Sequence, residues 1–187
     1  MTIDPTKLRI ELYPTEVLKT KAKPTPLTDE VRTVAHRMID LMNGAQGIGL
    51  AAPQIGLSWR LFVAHVPPDP DPDPESPAPE FPDSCDAPQI FLNPTITNFA
   101  GEIEPYDEGC LSLPGITGEV NRPSIVTMTA TDLEGNEISR TASGLLARCW
   151  QHEIDHLDGI LILDKMTQMS RLKNRLRIKQ MEKAAKR

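Results

Sequence analysis

The stretch Ser143–Gly159, SGLLARCWQHEIDHLDG, decides how the rest of the chain is read. Ser143 offers an N-cap oxygen and Asp158-Gly159 supplies a stop, so the segment predicts a helix from about Gly144 to Leu157. Inside it, His152-Glu153-Ile154-Asp155-His156 fits the pattern H-E-x-x-H. Residues four apart stack on one helix face, so both imidazoles can reach a single ion, and Glu153 is placed as a general base beside it. Five-residue matches also arise by accident. A catalytic ion needs a third protein ligand, and the sequence has to supply it.

Four positions compete for that role. In the pattern H-E-x-x-H-x-x-G-x-x-H the chain has Gly159 in register but Ile162 where the third histidine belongs, which excludes that class. Glu182, the only glutamate beyond the motif, sits in a basic tail and is a poor candidate. Cys149 lies about two turns, roughly 10 Å of helix rise, from His156, and reads as a buried small hydrophobe. Cys110 lies in Glu108-Gly109-Cys110-Leu111-Ser112-Leu113-Pro114-Gly115, a glycine-flexed loop able to bring a thiolate to the helix from outside. On the residues alone, a packed thiol remains the plainer reading of Cys110.

Working outward, Val31, Val34, Met38 and Leu41 recur at helical steps behind Thr28 or Asp29, predicting a helix over 27–44. Residues 59–66 and 89–93 read as strands. Between them, residues 67–88 hold nine prolines, seven acids and no Lys or Arg, so they read as an exposed, partly polyproline II insertion, with Cys85 a surface thiol. Residues 124–142 read as a hairpin turning at Glu134-Gly135-Asn136. Ile160–Leu163 reads as a short buried strand or turn. Ser170 is expected to cap a last basic helix with Leu172 and Leu176 on one face.

Length and composition bound the function. The 187 residues, 39% hydrophobic and 25% charged, suit one globular domain over 1–187. No apolar run approaches the roughly 20 residues of a membrane span, and the first five residues lack the basic and apolar regions of a secretory signal, so a cytoplasmic protein without a membrane partner is expected. Three cysteines at no framework spacing argue against a disulfide scaffold. Residues 165–187 carry nine Lys/Arg and one acid, whereas residues 1–164 carry 11 basic and 25 acidic side chains. A basic tail on an acidic body points to a polyanionic partner, although a solvated helix face looks much the same. No sequence-specific nucleic-acid partner is expected.

Three segments in order, Gly47-Ile48-Gly49-Leu50-Ala51-Ala52-Pro53-Gln54, Glu108–Ser112 (EGCLS) and Gln151–His156 (QHEIDH), together resemble the signature motifs of the peptide deformylase family. The likeness runs from about residue 6 to residue 170, interrupted by the insertion. It implies an α+β fold, antiparallel strands packed around a central HExxH helix with the C-terminal helix outside. It also implies a divalent metal on Cys110, His152 and His156, ferrous iron first, with zinc, nickel or cobalt also suited to such ligands.

The activity so implied is hydrolysis of the formyl group from N-formylmethionyl peptides, releasing formate. By the same resemblance Glu153 is the general base, and Gln54 and the Leu111 N–H stabilise the developing oxyanion; without it, Gln54 reads as a surface amide. Gly49 is implied as a peptide contact, with Ile48, Tyr106, Leu145, Arg148, Cys149 and His152 around the methionine side chain. Tyr106 and Arg148 depart from the aliphatic residues usual there. Gly47 and Gly49 are read as places where substrate backbone comes too close for a Cβ, or as a simple turn. Glu108 is expected to pair with Arg122, and the basic helix from about Ser170 to contact the ribosome. An inactive binding module and a metalloendopeptidase are the rival readings.

Overall fold

The structure, a computed structural model, describes residues 3–73, 75 and 78–185. Pro74, Ser76 and Pro77 of the expected insertion, and Lys186 and Arg187 of the basic tail, lie outside the described residues. In chain order come α1 (Asp29–Gly44), β1 (Gly49–Ala51), β2 (Leu61–Ala64), β3 (Gln89–Gly109), β4 (Thr117–Thr131), β5 (Glu137–Ser143), α2 (Gly144–Leu157), α3 (Ile162–Lys165) and α4 (Gln168–Ala184). The strands form one antiparallel sheet in the order β1-β2-β3-β4-β5, which gives the α+β class read from the sequence.

The HExxH helix touches all five strands. It buries Leu146, Ala147, Cys149, Trp150, Ile154 and Leu157 in one cluster with Phe62, Phe91, Val126 and Met128 of the sheet. Trp150 meets Phe91 edge-on at 5.3 Å, a favoured aromatic geometry. Removing a side chain of that size from a packed core costs about 3–5 kcal/mol, so this contact fixes where α2 lies on the sheet. On the other side of β1 and β2, α1 buries Val31, Val34, Ala35, Met38 and Met42. Thr28 caps it, its hydroxyl accepting from the Val31 N–H.

Several elements differ from the sequence expectation. β3 does not stop at Asn93: it runs on to Gly109 against β4, with register shifts between Leu92 and Thr95, Ile96 and Asn98, and Ala100 and Ile103. The Asn93-Pro94 pair, with Asn93 at φ 52, looks like a terminator in the sequence but acts as an irregularity within a longer strand. Glu108 and Gly109 therefore close a strand, and the loop begins at Cys110. β4 likewise begins at Thr117, ahead of the expected hairpin start. Ile160–Leu163, by contrast, follows the turn alternative of its reading: it is buried from Leu161 on and leads into α3, a helical turn whose Asp164 carboxylate accepts from the Leu161 N–H.

The last helix is capped by Thr167 rather than Ser170, and its inward face is the opposite of the expected one. Leu172 and Leu176 are 61% and 71% exposed. The packing face mixes Ile178 and Met181, set against the Leu113–Ile116–Val120 cluster, with polar groups: the Ser170 hydroxyl accepts from the Glu119 N–H, the Asn174 amide donates to the Thr117 carbonyl, and Arg177 Nε donates to the Pro114 carbonyl. These contacts, rather than Leu172 and Leu176, set the rotation of the helix. Tyr13 adds a bond from its hydroxyl to Glu182, so the one acid of the tail serves to anchor it.

The insertion is only partly free. Residues 81–85 dock on the start of α2: the Ser143 hydroxyl donates to the Phe81 carbonyl at 2.6 Å, Ser143 N to Pro82 and Leu146 N to Asp83. Ser143 stands at the N-cap position, yet a backbone carbonyl from the insertion satisfies the helix N–H that its side chain was expected to serve. Cys85 is half-buried against the main cluster and accepts from the Val66 N–H, so it is not a surface thiol. Replacing Ser143 by alanine removes the bond to Phe81 and should lower stability by about 1 kcal/mol, read as a lower urea midpoint at unchanged m-value.

Candidate metal centre

The two histidines of α2 stand with ring centroids 4.9 Å apart, and the end of β3 delivers Cys110 to them. The Cys110 Sγ lies 3.2 Å from His156 Nε2, and one ligand atom from each of Cys110, His152 and His156 falls within 4.8 Å of the others. Metal–sulfur bonds of about 2.3 Å and metal–nitrogen bonds of about 2.1 Å place donors of one ion at such separations, so the three residues fit a metal. His152 uses Nδ1 to meet Glu108 Oε2 at 3.0 Å, which leaves Nε2 for an ion.

Glu108 is gripped from several sides. Arg122 forms a two-pronged pair with it, Nε to Oε1 at 2.6 Å and Nη2 to Oε2 at 2.9 Å, as expected from the sequence. Burial alone would raise its carboxyl, yet bonds from Arg122 and His152 hold it well below the usual carboxylate range. Arg122 also reaches Asp155 at 2.7 Å, a contact the sequence reading missed.

Glu153 is 3% exposed, and its Oε2 has no hydrogen-bond partner among the described residues. Burial pushes its carboxyl up to about 7 against the pull of His152 and Arg122. Burial also drives the Cys149 thiol upward, and that thiol donates to the Ile48 carbonyl rather than facing the histidines as a ligand. Gln54 is 1% exposed, so the surface-amide reading does not hold. Its Oε1 accepts from the Ala51 N–H at 2.8 Å while Nε2 points to Cys110 Sγ at 3.5 Å and Ser112 Oγ at 3.3 Å. Ser112 had no signal in the sequence beyond its place in the EGCLS segment.

A cleft of about 520 Å³ opens onto these groups. Ile48, Gly49, Gln54, Tyr106, Cys110, Leu111, Leu145, Arg148, Cys149, His152 and Glu153 all line it, whereas His156 lies behind. Ile48, Tyr106 and Leu145 are exposed at its rim. Arg148 is buried, its guanidinium turned to Glu108 and to two strand carbonyls. Arg148 precedes His152 by four residues on one face of α2, the only hint in the sequence that it joins this network.

The two glycines of the first segment have a reason other than substrate approach. A Cβ on Gly49 would collide with the Glu153 carboxylate and come within 2.9 Å of the Cys149 sulfur, and one on Gly47 would meet Leu111 Cδ1 at 2.7 Å. Protein side chains occupy the space that the sequence reading assigned to a ligand.

Residues 7–172 match the family model described as polypeptide deformylase. The chain belongs to this family. It is 40% identical over 175 residues to the peptide deformylase of Picosynechococcus sp., covering 93% of this chain and 87% of that protein. It is 40% identical over 172 residues to the peptide deformylase of Acinetobacter baumannii, covering 91% and 89%. Its fold is similar to that of Plasmodium falciparum peptide deformylase in complex with an inhibitor, with TM-score 0.79 and 34% identity over 94% of this chain and 99% of that one.

Whether Cys110, His152 and His156 hold an ion can be tested without substrate. Cobalt(II) added to the metal-free chain should give a thiolate charge-transfer absorption saturating near one ion per chain, and Cys110→Ser should lose that band. A cobalt spectrum indifferent to Cys110 would remove the sulfur from the site.

Proposed function

We propose that this protein hydrolyses the formyl amide of N-formylmethionyl peptides, giving formate and a free α-amine, with a divalent metal held by Cys110, His152 and His156. The observation that carries the proposal is the meeting of these three donors at the wall of one cleft that the buried Glu153 and Gln54 also line. The names of its relatives favour the same activity. Ferrous iron is the metal assigned in the cell, on the family resemblance; zinc, nickel and cobalt suit the same donors. When bound, the ion supplies Lewis acidity toward the formyl oxygen and lowers the pKa of water toward neutrality.

The protein's own groups do the rest. Glu153 accepts the proton of the attacking water and returns it to the departing nitrogen, which leaves poorly as an anion. Gln54 Nε2 and the Leu111 N–H donate to the oxygen on which charge develops; the Leu111 N–H has no protein acceptor among the described residues. The rim residues Ile48, Tyr106 and Leu145 take the methionine side chain, with Arg148, Cys149 and His152 as the inner wall. β1 is an edge strand of the sheet, so its free side at Gly49 can pair with an extended peptide backbone.

The polypeptide leaving the ribosome is the natural source of formylated N-termini, and α4 supplies the contact to it. Lys173, Arg175, Lys179 and Lys183 are exposed on α4 and take no part in its packing. The family resemblance places this work in the cytoplasm; no helix among the described residues is long and apolar enough to cross a membrane.

Metal-replete protein should release formate from formyl-Met peptides. Glu153→Ala should keep its ion and lose about 10²- to 10⁴-fold in kcat, Cys110→Ser should lose both ion and turnover, and Gln54→Leu should lose about 10²- to 10³-fold. Binding of the peptide without formate would indicate an inactive module, and cleavage of internal peptide bonds in casein an endopeptidase. Changing Lys173, Arg175 and Lys179 to Gln should weaken ribosome binding and flatten its salt dependence; unchanged affinity would remove the ribosome as partner.

A further inference from the structure

Arg148 is 7% exposed, and its guanidinium is held by three acceptors from two strands. Nη1 donates to Glu108 Oε1 at 2.9 Å and to the Val120 carbonyl at 3.0 Å, and Nη2 donates to the Glu104 carbonyl at 2.7 Å. The Tyr106 ring lies 5.3 Å from its centre. A planar group fixed at three points has one pose, and that pose faces Glu108.

Glu108 is saturated by its neighbours. Oε1 takes Arg122 Nε and Arg148 Nη1; Oε2 takes Arg122 Nη2 and His152 Nδ1, two donors for the two lone pairs of each oxygen. Arg122 cannot do this alone, because its Nη1 is committed to Asp155 at 2.7 Å. The buried Glu108 and the partly buried Asp155 thus face two buried guanidinium groups, with the half-exposed Lys165 at the margin 3.4 Å from Asp155. Without Arg148, Oε1 loses a donor and the cluster keeps a carboxylate without its counter-charge, which a low-dielectric site tolerates poorly. The carboxylate then turns on its Arg122 pair, and the His152 ring turns with it.

We propose that Arg148 is a positioning residue for the metal centre: through Glu108 it fixes the His152 ring so that Nε2 meets the ion together with Cys110 and His156. The idea rests on the metal reading of those three residues. It gives Arg148 a task different from lining the methionine pocket, which would govern KM and leave ion affinity alone.

The test is cobalt(II) affinity, measured by chelator competition on the full chain, for wild type, Arg148→Leu, Arg148→Lys, Glu108→Gln and the Arg148→Leu/Glu108→Gln double variant. Arg148→Leu should bind cobalt about 10- to 100-fold more weakly, the usual effect of losing an outer partner of a ligand. Arg148→Lys, which keeps the charge but not the fork, should fall between. In the Glu108→Gln background, Arg148→Leu should add less than about threefold, since the path through Glu108 is already cut. Affinity unchanged in Arg148→Leu, or an undiminished effect in the Glu108→Gln background, would overturn the proposal. Should Arg148→Leu not fold, Arg148→Lys with wild-type affinity overturns it equally. A wild type that takes up no cobalt would sink the metal reading itself.

Discussion

Two imidazoles one helical turn apart define a line, and a third donor has to be carried to that line from another part of the fold. Here the carrier is β3, a strand of 21 residues whose far end presents Cys110. The approach works because both ends of the distance are fixed: α2 is seated on the sheet through Trp150 and its aromatic neighbours, and β3 is laddered to β4 along nearly its whole length. The register shifts along that ladder let a strand that begins under α2 finish at its polar face.

What the sequence revealed was local, and what it hid was mutual. The caps and periodicity of α1, and the spacing of His152 and His156, depend on residues within a few turns of each other, so the elements appear where expected. β3 beyond Asn93 was hidden because Asn93-Pro94 reads as a breaker and because the register shifts along its ladder with β4 interrupt the alternation of a regular strand. In α4, Leu172 and Leu176 drew attention by hydrophobicity, whereas the bonds that seat the helix come from Ser170, Asn174 and Arg177 to particular backbone groups of the Pro114–Glu119 region. Cys110 illustrates the same limit: its residues alone favoured a packed thiol, and only the joint likeness of three segments brought it to the histidines.

Glycine at position 49 answers to a demand from inside the protein as well as to the one read from the sequence. The absence of a side chain there makes room for the Glu153 carboxylate, a demand of the protein's own interior. Arg148 is a parallel case. Its place in the cleft wall was legible, but its direction was not, because direction is set by Glu104, Glu108 and Val120, all more than twenty residues away in the chain.

The docked segment 81–85 also changes what the proline-rich excursion means for the molecule. Its two ends are fastened together where the Cys85 N–H meets the Val66 carbonyl at 2.6 Å, so the chain departs from the folded body and returns to it at neighbouring points. Doubling such a loop adds only about 0.6 kcal/mol of closure entropy. The stretch ahead of Phe81 is therefore a natural seam, where a tag, a reporter or a whole extra module can be spliced in while residues 81–85 keep the first turn of α2 roofed.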